Sequence, residues 1–402
     1  MAIYLKKFEN HTQYENYING SDAILPNVSI CTTEGDVHYN PYVPHDYSQD
    51  YFTMVVTVGG NIKWSGSTTA NTLSYSKDNG DNWTTANNRT IISVAAGDKV
   101  LWKGTPTPQS SKGIGTFSGD TNARYSVEGN AMSLLYGDDF NEQTSLEGKN
   151  YAFYYLFRSN TNVTSAENLS LPATTLSRSC YGSMFSDCTN LTTAPELPAT
   201  TLADYCYGGM FASCTSLTTA PELSATTLAN HCYVSMFQGC TSLTTAPELL
   251  ATTLADYCYN YMFSACTSLT AAPELPATTL SSGCYGGMFD GCTNLTTVPE
   301  LSATTLADYC YSGMFAGCTS LTTAPELSAT TLAENCYRYM FINCTSLSSI
   351  KCLATNISAN GCTNNWVHHV ASSGTFTKAA SMTSWTTGDS GIPSGWSVQN
   401  AS

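Results

Sequence analysis

The chain has 402 residues, a formal net charge of −15, 42% apolar residues and only 11% charged ones. That is long enough for two or three domains of about 100–200 residues and too apolar for a disordered chain. With 15 Lys+Arg against 30 Asp+Glu, the surface that holds phosphates is missing, so nucleic acid and anionic membranes are excluded as partners.

Met1-Ala2-Ile3-Tyr4-Leu5 leads straight into Lys6-Lys7-Phe8-Glu9, leaving no signal-peptide core. No run of about 18 apolar residues follows, so no membrane span is expected. Residues 1–45 are read as an N-terminal tether. It holds a short helix around Thr12 to Ile18 and a hairpin of Asn27 to Cys31 with Val37 to Asn40, turning at Glu34-Gly35-Asp36.

Residues 46–145 alternate short β-favouring runs with Gly/Asn/Asp turns. Strands are predicted at Phe52 to Val58, Ile62 to Trp64, Leu73 to Ser76, Ile91 to Val94, Val100 to Trp102, Tyr125 to Val127 and Met132 to Leu135, a spacing that suits a β-sandwich-like domain. Within it, Ser76-Lys77-Asp78-Asn79-Gly80-Asp81-Asn82-Trp83 resembles the Asp-box of sialidases. That resemblance implies a structural hairpin turn with Trp83 packed beneath it. Gly113-Ile114-Gly115 lacks the third glycine of a phosphate loop.

From 146 to 362 the chain repeats every 26 residues. Cys recurs at 180, 206, 232, 258, 284, 310, 336 and 362, and again at 188, 214, 240, 266, 292, 318 and 344, with Met-Phe pairs and a leucine in the same register. In the unit 197–222, Cys206, Tyr207, Met210, Phe211 and Cys214 fall at i, i+1, i+4, i+5 and i+8, which predicts a short amphipathic helix. Thr-rich pieces around Leu202 and Leu217 predict short strands, and Pro221 ends one of them. Each unit is thus expected to be strand, helix, strand, and the array to fold together between caps. The fold class predicted is mixed α/β and multi-domain, a β-sandwich-like domain followed by a leucine-rich-repeat solenoid.

The first cap is a degenerate unit, Tyr154 to Val163, with Asn160 in the place of Cys214; at the far end Lys351 and Cys352 replace Pro and Glu. Residues 363–402, with Trp366, Trp385 and Trp396, are read as a C-terminal cap. Leu-Pro-Ala-Thr-Thr at 171–175, 197–201 and 275–279 is a repeat element, since no glycine or hydrophobic tail follows.

The 17 Cys match no tetrahedral zinc spacing and are odd in number, so buried free thiols are expected. No metal or cofactor is predicted. Glu196, Glu222, Glu248, Glu274, Glu300 and Glu326, with Thr192, Thr218 and Thr244, line up as a candidate recognition ladder. Its carboxylates are expected either to accept hydrogen bonds from the next coil and solvent or to hold a row of cations such as calcium. His231 and His368-His369 form neither a triad nor a metal site. The Thr-rich strands scarcely change, whereas slots such as Gly208-Gly209, Val234-Ser235 and Arg338-Tyr339 change freely. A uniform Thr face is therefore expected either to meet a repetitive partner or another copy of the chain, with the helix face in solvent, or to be a merely duplicated scaffold.

The Met-Phe pair, the Cys-x-x-Leu step and the following Pro, over about residues 150–362, resemble the BspA-like leucine-rich-repeat family, which implies an adhesive interaction module. The Leu-Lys-Lys-Phe segment followed by Pro-Asn-Val-Ser resembles proteins of crAss-like phages of gut bacteria. Together the resemblances imply a non-enzymatic attachment protein on a phage exterior. It would contact other virion proteins through its N-terminus and a host glycan or surface protein through its repeats. A BspA-like bacterial cell-surface adhesin is the alternative. A carbohydrate-active enzyme is a remote third, because no acid/base pair of carboxylates can be named.

Overall fold

A computed structural model describes residues 45–401 and the backbone of two short strands ahead of them. The chain divides into two compact units, Met1–Tyr47 and Ser48–Ser402. In the first, β1 (Tyr4–Lys6) and β2 (Val28–Ile30) pair antiparallel with Tyr4 opposite Ile30. The expected strand at Val28 is present with a partner nearer the N-terminus. The predicted helix at Thr12 to Ile18 and the return strand at Val37 to Asn40 lie outside the described residues.

The second unit opens with nine strands: β3 (Phe52–Val58), β4 (Gly60–Gly66), β5 (Leu73–Ser76), β6 (Thr84–Ala86), β7 (Thr90–Val94), β8 (Lys99–Lys103), β9 (Gly115–Gly119), β10 (Arg124–Asn130) and β11 (Val163–Ser170). They form a six-stranded sheet ordered β11-β10-β3-β8-β5-β6 and a three-stranded sheet ordered β7-β4-β9. Alternation along the strands sends Phe52 and Trp102 from the larger sheet, and Trp64 and Phe117 from the smaller, into one aromatic core. Phe117 lies 4.7 Å from Trp64 and 4.8 Å from Trp102.

The predicted strand at Met132 to Leu135 is instead the α-helix Ser133–Tyr136. Its apolar run is buried without alternation, so it carried no period to separate strand from helix. Asn130 turns the chain into it by accepting a hydrogen bond from the Met132 N–H. The Ser133 hydroxyl then donates to the Trp102 carbonyl and accepts from the Phe52 N–H, tying the helix to two strands.

β10 and β11 run parallel, and β11 is the edge onto which the repeats stack. The Thr192 N–H donates to the Thr164 carbonyl, and the Ala166 N–H to the Thr193 carbonyl. From there each 26-residue unit lies on the previous one, with Thr175, Thr201, Thr227, Thr253, Thr279 and Thr305 joined by parallel bridges. The sheet-like contact is one or a few residues per unit, shorter than the strands predicted.

The predicted helix within each unit is absent. Between Ala203 and Cys214, N–H groups at alternate positions donate three residues back, as from Met210 to Tyr207. The others donate to the next unit, as from Phe211 to Met236 at 3.0 Å. Every fourth residue, Tyr205, Gly209 and Ser213, has φ near +60° (57°, 61° and 60°). The segment is therefore a ribbon of turns with a period of four, which the i, i+1, i+4, i+5, i+8 pattern fits as well as it fits 3.6. An α-helix would satisfy its backbone internally; here half of these donors hold the neighbouring unit. Mixed α/β thus gives way to a sheet-rich chain with almost no helix.

Inside the stack, each apolar type forms its own column. Tyr207, Tyr233 and Tyr259 stack at 5.8 Å, as Phe211, Phe237 and Phe263 do at 5.7 Å. The ladder outlasts the sequence period. β12 (Ser349–Cys352), β13 (Thr375–Lys378) and β14 (Ser397–Asn400) continue it in parallel. Trp366 and Trp385 extend the ring column, with centroids 5.6 Å apart. One contiguous core runs from Phe52 to Trp396.

Candidate functional site

The Thr-rich side carries the residues of the candidate ladder. Glu196, Glu222, Glu248, Glu274, Glu300 and Glu326 are all exposed, as are Thr192, Thr218 and Thr244. They are positioned because the buried Leu217, Leu223 and Ala225, and their equivalents in each unit, anchor the chain on either side. The Thr192 hydroxyl donates to the Thr164 carbonyl at 2.8 Å, so its proton is committed to the stack. Glu326 ends the row in an exposed ion pair with Lys351 at 2.9 Å. Among the described residues, no group of three or more His, Cys, Asp or Glu could hold a metal ion.

The turn ribbon builds a second surface that periodicity alone did not reveal. Tyr205, His231 and Tyr257 occupy equivalent left-handed positions in successive units, and their half-buried rings stack at 4.4 Å and 5.0 Å. Arg178 covers Tyr205 at 5.3 Å and lies 3.8 Å from Asp204. Burial lowers the His231 pKa despite the nearby Asp204 and Asp256, and His231 Nδ1 is buried without a hydrogen-bond partner. His231 is thus sandwiched between two rings. The sequence signal was available: aromatic residues recur 26 apart at the position before the first Cys.

Beside this stack runs a column of small acids and amides. Asn230 accepts from the Asp256 N–H, Asp256 from the Ser282 N–H and Asp308 from the Glu334 N–H, each at 3.1 Å. These side chains close backbone donors of the next unit, as caps do at helix ends.

The Asp78 turn is structural in its contacts. Asp78 accepts from the Ser76 hydroxyl at 2.7 Å and from Asn82 through both its backbone and side-chain N–H groups. These bonds hold its carboxyl down at about 2. Trp83 lies beside Gly80 of the same turn, with the Lys103 ammonium over its ring at 4.1 Å.

The sixteen cysteines of the described residues are free and buried. Burial raises their pKa values, for example to about 12 for Cys180, Cys240 and Cys344. A thiol in that state is a packing group and weak donor, not a nucleophile. His368 contacts Asp389 at 2.7 Å and His369 contacts Asn343 at 3.1 Å, both on the exposed C-terminal turns.

No helix of the described residues is long and apolar enough to cross a membrane. Compared with known proteins, the chain matches no family model, no curated protein and no solved structure.

Proposed function

We propose that this protein is a non-enzymatic attachment protein of a phage particle, and that its stacked units are a leucine-rich-repeat solenoid of the BspA-like kind. The observation that carries the reading is the exposed ladder. The same Thr and Glu side chains recur at one height per unit along a backbone hydrogen-bonded from unit to unit. Such a surface is rigid and repetitive, which suits contact with a repetitive partner at little ordering cost. The strongest pKa shifts belong to core thiols and phenols closed off by burial, whereas catalytic sites place shifted groups in clefts. In this reading residues 1–45 hold the protein to other virion proteins and the repeats face a host glycan or surface protein.

A BspA-like adhesin on a bacterial surface is the second reading, favoured by the Cys-x-x-Leu and Met-Phe register itself. Gold-labelled antibody against this protein, viewed by electron microscopy of source material, separates the two. Regular decoration of phage particles supports the first reading, and label on bacterial envelopes supports the second. Hydrolysis of glycans by the purified chain would overturn both.

A further inference from the structure

A cleft of about 270 Å³ opens on the turn face, lined by Tyr154, Ser183, Tyr205, Gly208, Gly209 and Ser235 among others. From this cleft and the Tyr205–His231–Tyr257 stack beside it, we infer a binding site for a neutral saccharide chain. The inference rests on the attachment reading and adds to its exposed ladder a second surface with a stated ligand class.

The floor of the cleft is open for a reason other than backbone need. The slot of Gly182 and Gly208 is glycine again at Gly286 but is filled by Val234, Asn260, Ser312 and Arg338 in other units, and no glycine in that slot has the left-handed φ that would require it. Glycine there removes side chains that the fold accepts elsewhere. At Gly182 the Tyr154 ring comes within 2.9 Å of where a Cβ would sit, so the ring packs against the ribbon and forms one rim. Tyr205 forms the other.

The chemistry suits a sugar. A pyranose presents an apolar C–H face and a rim of hydroxyls. The cleft offers tyrosine rings for the first and the hydroxyls of Ser183 and Ser235 for the second. The ring stack rises one residue per unit over three units, so an extended chain would meet an aromatic edge at Tyr205, His231 and Tyr257 in turn. Charge points to a neutral ligand. His231 is held towards its uncharged form by burial, Arg178 lies against Asp204, and the whole chain carries −15. Arg178 over Tyr205 and Arg158 over Tyr155 are each committed to a ring near the rims, and the net charge of the chain opposes a polyanion beyond them.

The test is affinity electrophoresis of the full chain through gels containing dextran, mannan or a neutral β-glucan, with alginate as the polyanion. Retardation by at least one neutral polymer is expected. It should weaken at least about threefold in Tyr205→Ala and disappear in Gly208→Arg, a side chain that the same slot carries at Arg338. Tyr257→Ala is the second variant, and thermal melting verifies that each remains folded. Retardation by alginate alone, by no polymer, or equally in wild type and all folded variants would overturn the site. Binding of labelled protein to host cells separates the two readings: if cells still bind Gly208→Arg fully, attachment stands and this cleft is not its surface.

Discussion

The Cys214 thiol donates to the carbonyl of Phe185 one unit earlier, at 3.1 Å. The same bond recurs from Cys240 to Phe211, Cys266 to Phe237 and Cys292 to Phe263. In the first unit Asn160 takes the position and donates to the Phe117 carbonyl at 2.9 Å. Cysteine and asparagine are thus interchangeable here because each is a small side chain with a donor. Asn160 also donates to the Tyr125 hydroxyl at 2.7 Å. Removing it leaves two buried acceptors short, so Asn160→Ala is expected to cost about 2–4 kcal/mol, against about 1–2 kcal/mol for Cys266→Ala. Urea denaturation compares them; an Asn160→Ala protein as stable as Cys266→Ala would remove this role.

The buried thiols make the protein sensitive to alkali. Their folded pKa values lie above the ordinary 9.0, reaching about 12 at Cys180 and Cys266's neighbour Cys240. The native state therefore keeps protons that the unfolded chain releases. This contribution is fully present below pH about 9 and is lost as pH rises from there towards about 12. Melting temperature is expected to fall steeply across that window. Ellman titration at pH 8 should find the described cysteines silent in native protein and reactive in denaturant.

Asp78 predicts the opposite dependence, confined to one hairpin. Its carboxyl is depressed from 3.8 to about 2 by the Ser76 and Asn82 bonds, so the turn gains stability above pH about 4 and loses it as pH falls through about 2. Trp83 fluorescence, followed from pH 5 to 1.5 as the difference between wild type and Trp83→Phe, should change with a midpoint near 2. Asp78→Ala should show the acid-state signal at neutral pH.

The turn ribbon can be distinguished from a helix by the sign of a glycine substitution. In a helix, Gly→Ala gains up to about 1 kcal/mol. Gly313 has φ +65° and its added Cβ would meet only Gly287 at 4.0 Å, so Gly313→Ala isolates backbone strain and should destabilise by about 1 kcal/mol. Gly287→Ala should cost more, because the Tyr261 ring occupies the space a Cβ would take. Stabilisation by Gly313→Ala would contradict the ribbon.

Much of this protein is legible in the order of its residues. The 26-residue register, the buried thiol columns and six of the seven strands predicted for residues 46–145 follow from local period, because apolar and polar positions recur in a fixed pattern. The ribbon was not legible by that route. Cys206, Tyr207, Met210, Phe211 and Cys214 satisfy a period of four and one of 3.6 equally, and the signal that separates them is Gly283, Gly287 and Gly291, four apart where a helix would not place them. What only the tertiary structure decided is where the backbone donors go. Phe211 donates to Met236 and Tyr205 to Asn230, and those partners exist only once units are stacked. The same stacking turns Tyr205, His231 and Tyr257, 26 residues apart in the chain, into neighbours about 4–5 Å apart, and a cleft appears beside them.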